Sequence, residues 1–404
     1  MTDARHLSPS IPPFPLEDSP APLVTSAFVV LLALLTLSFY LVPDQAGRNV
    51  ILYATALSTH LLMSRKQAWR LAYGHPGGWA VLLLVAFPCL SLIWSVGAEG
   101  DIVQDLLLAG YCIATVYLGV AWVLHWYPKA ADALVVVLLL AGNLVGGASV
   151  AWWAMADRGP GGFRLQGLWG LDNPVHSSIA LLAATVPVTF QVLRRQRSPW
   201  WLLGMIIPLS YVALAGARSA AAAYLLVLLA MVAVWRAGAV LWVLAGALIV
   251  GILAIALLGV GVVEEVWFAR GVSFRNVVWQ QVLAAYESCN ALIGCGVASP
   301  PTVDLGGRVG KRAHSIVLAT LYYQGLLGFI CFIGALAWLL WRALRASRTQ
   351  ESRSWTYLLG YVLLANVTSG DHILVRAELF WLYFWLPVMI IAAMSREMPP
   401  PTPT

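Results

Sequence analysis

Long apolar runs without a charged residue recur along most of this chain, and they constrain its fold more than any other feature. Only 10% of its residues are charged and 60% are hydrophobic, whereas about a quarter are charged in ordinary soluble domains. A helix needs about 20 apolar residues to cross the ~30 Å hydrocarbon core of a bilayer. Twelve stretches approach or reach that length: 22–42, 49–64, 77–98, 106–127, 133–156, 173–193, 199–217, 219–235, 237–263, 314–341, 354–370 and 379–395. The sequence therefore predicts an all-α polytopic membrane protein of about 12 spans, with one transmembrane domain over residues 22–396.

The charges between these stretches predict an orientation. With the N-terminus inside and the spans alternating, the inner segments hold 14 cations and 6 acids, and the outer segments hold 10 cations and 12 acids. Cytoplasmic loops carry the excess of Lys and Arg, so both termini are predicted to be cytoplasmic. The polar and Pro-rich ends, residues 1–21 and 397–404, are predicted to be disordered tails. Topology accounts for the basic character of the chain, and no nucleic-acid partner is expected.

The outer cations are not required by topology, and as a group they indicate an anionic ligand. The longest outer segment, residues 262–313, contains RNVVWQQVLAAYESCNALI (275–293), whose apolar residues recur at helical spacing. We expect an amphipathic helix there, lying on the membrane surface or capping the bundle. Cys289 and Cys295 share this loop. An oxidising compartment would allow a disulfide between them, and the sequence leaves that pairing open.

Three arginines are candidates for binding a diphosphate. Arg218 lies in AGARSAAAAYLL, between two apolar runs so short that they must form a tight hairpin, and it starts the second run. An arginine at a helix N-terminus favours phosphate binding. Arg275 starts the amphipathic segment in the same way, and Arg164 lies in the outer loop before the sixth run. The alternatives are an arginine that reaches the lipid headgroups for Arg218 and a solvated loop charge for Arg275.

His314 is the candidate catalytic base. It follows Lys311 and Arg312 in KRAHSIVL (311–318), at the outer start of the tenth run. The positive helix end and the two cations disfavour imidazolium, and a neutral histidine can accept a proton from a hydroxyl. Taken alone, a histidine at the membrane interface is the simpler interpretation.

The sequence gives less support to other kinds of chemistry. The outer acids lack a spacing that would converge on a hard cation, and no P-loop or dinucleotide fingerprint occurs, so neither a metal nor a cofactor is expected. A transporter is the second class of function. Transporters typically have internal repeats and charges within their spans, and neither feature is evident here.

Three ordered regions of the sequence resemble the bacterial O-antigen ligase and polymerase family. The first two are RLQGLWGLDNPVHSSIALL (164–182), similar to an Arg-x-x-Gly…Asn-Pro stretch, and AGARSAAAAYLL (215–226), similar to a Ser-Arg-Gly-type hairpin. The third, RNVVWQQVLAAYESCNALIGCGVAS (275–299) with AHSIVLATLYYQGLLGFI (313–330), resembles the family's outer loop. There Arg-x-x-x-Trp leads to a Gly-x-Gly turn, and a histidine opens the next span. Ala217 and Ser219 depart from the hairpin pattern, and the first four spans are similar only in hydropathy.

The resemblance implies metal-independent, inverting glycosyl transfer on a GT-C-like fold at the outer face of the bacterial inner membrane. It implies a donor glycan on undecaprenyl diphosphate, with Arg218 and Arg275 on the diphosphate and His314 in catalysis. Further candidates for substrate binding are Arg164, Asn173, His176, Lys311 and Arg312. We favour the ligase, with a lipid A–core sugar as acceptor, because the chain has one modest outer loop and no soluble C-terminal extension. An O-antigen polymerase, a protein O-oligosaccharyltransferase and a lipid-linked glycan flippase remain as alternatives.

Overall fold

The computed structural model describes residues 22–96, 100–155, 165–194, 196–235, 275–304, 309–345 and 350–397. Within these ranges the chain is mostly helical. Its helices are α1 (Pro22–Leu41), α2 (Gln45–Ser58), α3 (His60–Met63), α4 (Lys66–Tyr73), α5 (Pro76–Leu90), α6 (Gly100–Trp126), α7 (Ala130–Met155), α8 (Pro174–Leu193), α9 (Ile206–Ala215), α10 (Arg218–Trp235), α11 (Arg275–Glu287), α12 (Ile316–Arg345), α13 (Gln350–Asn366) and α14 (Leu386–Met394).

Shorter elements connect or extend these helices. The 3-10 turns are Ser91–Trp94, Pro199–Met205 and Ser395–Glu397, and a π-helical turn, Trp381–Trp385, leads into α14. A two-stranded antiparallel ribbon joins β1 (Val303–Asp304) to β2 (Val309–Gly310). The sequence did not predict this ribbon, because two-residue strands are too short to leave a periodic pattern.

Six described helical segments are long and apolar enough to cross a membrane: Val24–Leu41, Pro76–Trp94, Gly100–Trp126, Ala130–Met155, Pro174–Leu193 and Ile316–Arg345. Three shorter apolar segments accompany them: Pro199–Ala215, Arg218–Val234 and Trp381–Met394. The chain is thus a helical, polytopic membrane protein, as predicted. The predicted span 49–64 is divided between α2 and α3. The predicted span 237–263 lies outside the described residues, as do the tails 1–21 and 398–404.

Helices α6 and α8 form the centre of the bundle. Within their most apolar windows, 78% of α6 and 83% of α8 is buried inside the protein, against 39% for α1. A helix that is apolar all round is expected to be surrounded by protein or lipid, and here protein surrounds both. Helix α8 contacts α7, α9, α10 and α13, and α6 contacts α4, α5 and α14.

Helices α9 and α10 form the tight hairpin that the sequence predicted. The first helix ends at Ala215, Gly216 adopts a left-handed conformation with φ 57°, and the second begins at Arg218. Glycine takes this conformation without a Cβ clash, which makes it the usual residue at such a helix end. The hairpin therefore fixes Arg218 at the start of α10.

Helix α12 is broken at Gly325, whose φ of 64° and ψ of −168° are not helical. The loop after α11 inserts at this break and supplies the missing backbone partners. Its bonds to the two halves of α12 are Leu326 N to Ala291 O (3.0 Å), Leu327 N to Leu292 O (2.9 Å), Cys295 N to Tyr322 O (2.9 Å) and Gly296 N to Tyr323 O (2.9 Å). A broken helix persists inside a membrane protein only where its backbone groups are satisfied in this way.

Two sequence predictions are corrected by this arrangement. The amphipathic helix predicted over 275–293 ends at Glu287, because the residues beyond it pair with the broken α12 instead of continuing the helix. The second prediction is the span over 314–341. It begins at Ile316 and is interrupted at Gly325.

Candidate functional site

Arg218 is exposed at the first turn of α10, where backbone N–H groups point out of the helix end. The next residue, Ser219, is hydrogen-bonded through its hydroxyl to Ser369, with the two oxygens 2.9 Å apart. Ser369 follows α13. The start of α10 is thus tied to the segment that leaves α13.

Arg275 begins α11, as predicted, and it lies within electrostatic range of Arg218. Partial burial and the nearby positive charge of Arg218 both lower the pKa of Arg275. Two guanidiniums near each other repel, and a bound anion relieves that repulsion. The pair therefore has the charge and the placement of an anion site, with a helix start behind each arginine.

His314 has an unusual backbone conformation. Its φ is 51°, in the left-handed region that residues with a Cβ rarely enter. The flanking residues are held firmly: Ala313 is buried, and its N–H donates to Asp371 Oδ1 at 3.4 Å. On the other side, the Ser315 hydroxyl accepts from Leu318 N at 3.4 Å and caps α12. Strain of this kind concentrates at functional sites, where the surroundings over-determine the conformation.

The imidazole of His314 is exposed at the rim of the site but partly desolvated by the protein around it. Burial lowers its pKa below the ordinary value; Asp371 opposes this by raising the pKa, and Arg275 and Arg312 lower it further. The lowered pKa of His314 agrees with the sequence prediction that its surroundings disfavour imidazolium. Burial and Arg275 contribute in addition to Arg312, and Asp371 acts in the opposite sense. The neutral imidazole, which can accept a proton, is favoured at neutral pH.

Arg275 connects the two parts of the site. Its charge acts on His314, and its own pKa responds to Arg218. The structure thus brings Arg218, Arg275 and His314 into one electrostatic group, although they come from three separate helix starts.

A cavity of about 230 Å³ lies beside this group. Its lining is Gln45, Ile102, Asp105, Leu106, His176, Arg312, Asp371, His372, Leu374, Val375, Arg376, Glu378 and Phe380. His176 is held by the Tyr383 hydroxyl, 2.6 Å from its Nδ1, with the two rings stacked. It lies within electrostatic range of Arg312 and His314. Two of the predicted candidates, His176 and Arg312, therefore face the cavity next to His314.

The structure does not place the remaining three candidates in the site. Asn173 caps α8, where its Oδ1 accepts from Val175 N at 3.0 Å and from His176 N at 3.2 Å, so its side chain has a structural task. Lys311 is exposed, and it is not among the charges that act on His314. Arg164 lies outside the described residues.

The loop that carries the site is fastened at several points. Cys289 and Cys295 form a disulfide, which settles the pairing that the sequence left open. Val297 N donates to the Ser91 hydroxyl at 3.0 Å, and Ala298 N donates to the Ser95 hydroxyl at 3.2 Å. These bonds hold the loop after α11 against the end of α5.

Sequence reasoning missed Asp371 and Tyr383 as members of the site. Asp371 is one of the outer acids in the predicted topology, and the Ser-Gly-Asp-His segment after an apolar run is a signal for a turn that presents side chains. Nothing in the sequence pairs Tyr383 with His176, because 207 positions separate them. Among the described residues, no three His, Cys, Asp or Glu side chains group as a metal ion would need. Metal independence stays a prediction.

The fold and site together define a helical polytopic membrane protein with a cationic group and a polar cavity at the ends of its helices. No protein-family model matches the chain. The chain is similar to the O-antigen ligase of Pseudomonas aeruginosa, with 28% identity over 230 residues, or 56% of this chain and 50% of that protein. The match thus spans about half the length of this curated relative. It supports, at the level of the family, the resemblance inferred from the motifs.

Proposed function

We propose that this protein is an O-antigen ligase, an inverting and metal-independent glycosyltransferase of the inner membrane. It moves O-antigen glycan from undecaprenyl diphosphate to a sugar hydroxyl of lipid A–core. The observation that carries the proposal is the grouping of Arg218, Arg275 and His314, in which Arg275 interacts with both of the others. A base near a pair of arginines that can bind a diphosphate is the arrangement that this transfer requires.

The arginines stabilise the leaving group. As the bond between the sugar C1 and the diphosphate oxygen breaks, negative charge grows on that oxygen. Arg218 and Arg275 lie at helix starts, so fixed positive charge and helix N–H groups act together on the developing charge. Undecaprenyl diphosphate leaves with the electron pair of the broken bond.

His314 accepts the proton of the attacking hydroxyl. The acceptor oxygen forms the new bond to C1 from the face opposite the diphosphate, which inverts the configuration at that carbon. The lowered pKa of His314 keeps its imidazole neutral at neutral pH, ready to accept the proton. In the transfer, the bond from the acceptor oxygen to C1 forms, the bond from C1 to the diphosphate oxygen breaks, and the hydroxyl proton moves to His314.

The orientation and full span count are part of the same proposal. The excess of cations in the alternate loops supports cytoplasmic termini and a site that faces the periplasm. About 12 spans in a GT-C-like arrangement fit the six long and three shorter apolar segments together with the α2–α3 segment, α13 and the apolar run 237–263. Membrane lipids surround the bundle.

The test is a transfer assay with purified protein, lipid-linked O-antigen donor and lipid A–core acceptor, with and without EDTA. We expect glycan-bearing lipid A–core at the same rate in both. If EDTA abolishes transfer, the metal-independent mechanism is wrong. If the donor glycan instead grows on its own carrier, the protein is a polymerase, and if it only changes leaflet in proteoliposomes, the protein is a flippase.

Deletion of the gene tests the proposed ligase activity independently in cells. A ligase-deficient strain accumulates lipid-linked polymer and makes lipid A–core without any glycan. Lipid A–core that carries a single repeat unit would instead identify a polymerase.

A further inference from the structure

The cavity beside His314 differs in charge from the arginine pair. Three carboxylates line it, Asp105, Asp371 and Glu378, against two guanidiniums, Arg312 and Arg376. One of the guanidiniums is already neutralised, since Arg376 forms an ion pair with Asp105. The carboxylates outnumber the guanidiniums by one, so a diphosphate is bound less favourably in the cavity than at the arginine pair.

The lining suits a neutral molecule rich in hydroxyl groups. A carboxylate accepts through about four lone-pair positions, and each of these three has one described protein partner. Asp371 accepts from Ala313 N at 3.4 Å, and Glu378 accepts from Gln45 Nε2 at 3.5 Å, both at the long end of hydrogen-bond range. These groups can therefore accept further hydrogen bonds from a ligand.

The lining also contains apolar side chains. Ile102, Leu106 and Phe380 line the cavity together with the carboxylates. Ligand pockets of this kind combine apolar walls with a few polar groups that fix orientation. Such a surface matches a sugar ring, which has C–H groups on its faces and hydroxyls at its edge. The volume of about 230 Å³ is below the range of drug-sized pockets, so it has room for a single ring rather than a long glycan.

We propose that this cavity binds the acceptor sugar through its hydroxyls, with Glu378 and Gln45 as specificity-determining residues. The assignment rests on the proposed function, because it places the acceptor in a cavity whose wall includes Asp371 and Arg312, two of the groups that act on His314. His314 responds to Asp371 in the cavity wall and to Arg275 on the arginine side. The cavity wall and one member of the arginine pair are thus both within electrostatic range of the proposed base.

Binding is measured with full-length protein in the inactive His314→Asn background, so that no transfer consumes the ligand. The probe is fluorescently labelled, deacylated core oligosaccharide, and undecaprenyl-diphosphate-linked glycan is titrated in a parallel experiment. We expect Glu378→Gln to weaken core oligosaccharide binding about tenfold, the typical effect of removing a charged hydrogen-bond acceptor. Donor binding should change less than about twofold.

Gln45→Ala provides a second variant in case Glu378→Gln fails to fold, and we expect it to weaken core oligosaccharide binding several-fold. The matched control is Glu287→Gln, which neutralises an exposed carboxylate at the end of α11, outside the cavity lining. It should bind both ligands like the background protein.

Two results would overturn the assignment. Unchanged core oligosaccharide binding in the folded cavity variants would show that the cavity is not its subsite. Weaker donor binding with unchanged core oligosaccharide binding would assign the cavity to the donor glycan instead. Failure of the proposed function is separate, because it appears as absent transfer by the wild-type protein and is independent of which variant loses binding.

Discussion

The two cationic helix starts and the histidine segment are held in place by different means. Arg218 and Arg275 open regular helices, and local rules position them: a glycine turn precedes α10, and an apolar face directs α11. His314 lies in a left-handed conformation that its own residue type disfavours, between the buried Ala313 and the cap of α12. The arginines are therefore positioned mainly by local features, with one distant bond from Ser219 to Ser369 at the start of α10, whereas His314 depends on distant contacts such as the bond from Ala313 to Asp371.

The largest effect is expected from a variant that removes the imidazole of His314 but keeps its left-handed backbone conformation. His314→Asn removes the base, and asparagine tolerates the left-handed conformation better than most residues. We expect transfer to fall about 10³-fold, within the range of a lost general base. The thermal unfolding temperature in detergent should stay near that of the wild-type protein.

His314→Ala serves as the comparison. It should lose the same activity and should also be less stable than His314→Asn, because alanine has no polar side chain to favour the left-handed region. Appreciable transfer by either folded variant would remove His314 from the catalytic role.

The arginine pair should behave as one unit. Arg218→Ala and Arg275→Ala are each expected to reduce transfer about 10²-fold, comparable to the loss of one oxyanion donor. If both arginines act on the same diphosphate, the fold-reduction in transfer by the double variant should be smaller than the product of the two single reductions. A double-mutant cycle on kcat/KM measures this coupling, and strictly multiplicative effects would mean that the two arginines serve separate ligands.

A third change tests the distant contacts that support the histidine segment. A Cβ on Gly294 would lie 2.5 Å from the backbone nitrogen of Gly325, and Gly294 itself has a φ of 74°. We therefore expect Gly294→Ala to destabilise the protein by about 2–3 kcal/mol, measured by thermal unfolding in detergent.

Gly334→Ala is the matched control in the same helix as Gly325. A Cβ there meets nothing within 4 Å, and alanine is the better helix former by roughly 1 kcal/mol. This variant should be as stable as the wild-type protein or more so. If both alanine variants are destabilised equally, the insertion of the loop into α12 contributes nothing to the stability of the protein.

The part of the fold that the sequence predicted follows from patterns confined to one segment. Apolar length predicted the helices and the polytopic class, and the short runs around Arg218 predicted the hairpin with its helix start. The break in α12 was not predicted, because an isolated glycine in an apolar run is compatible with a continuous helix. The segment Gly325-x-x-Gly328, close to Gly-x-Gly at Gly294 and Gly296 in the preceding loop, is the signal that two backbones approach there.

The same distinction applies to the site. The sequence proposed the arginines and His314 as candidates because helix starts and motif order are local features. It could not predict that Asp371 would oppose the cations around His314, nor that Arg376 and Asp105 would pair across the cavity wall. Those contacts join distant segments, and a single sequence contains no record of which segments meet.

The smallest expected effect tests the electrostatics around His314. In the proposed mechanism His314 must be neutral to accept a proton. The value of kcat/KM should therefore rise with pH through the pKa of His314 in the free enzyme, which lies below the ordinary value of 6.5, and then reach a plateau. Asp371 raises this pKa and Arg312 lowers it. Asp371→Asn should therefore move the acid limb to lower pH, and Arg312→Gln should move it to higher pH. Each variant is compared with its own plateau, so that weaker binding does not enter the result. Shifts in the same direction, or an acid limb that persists in His314→Asn, would assign the titration to another group, with His176 beside it as the next candidate.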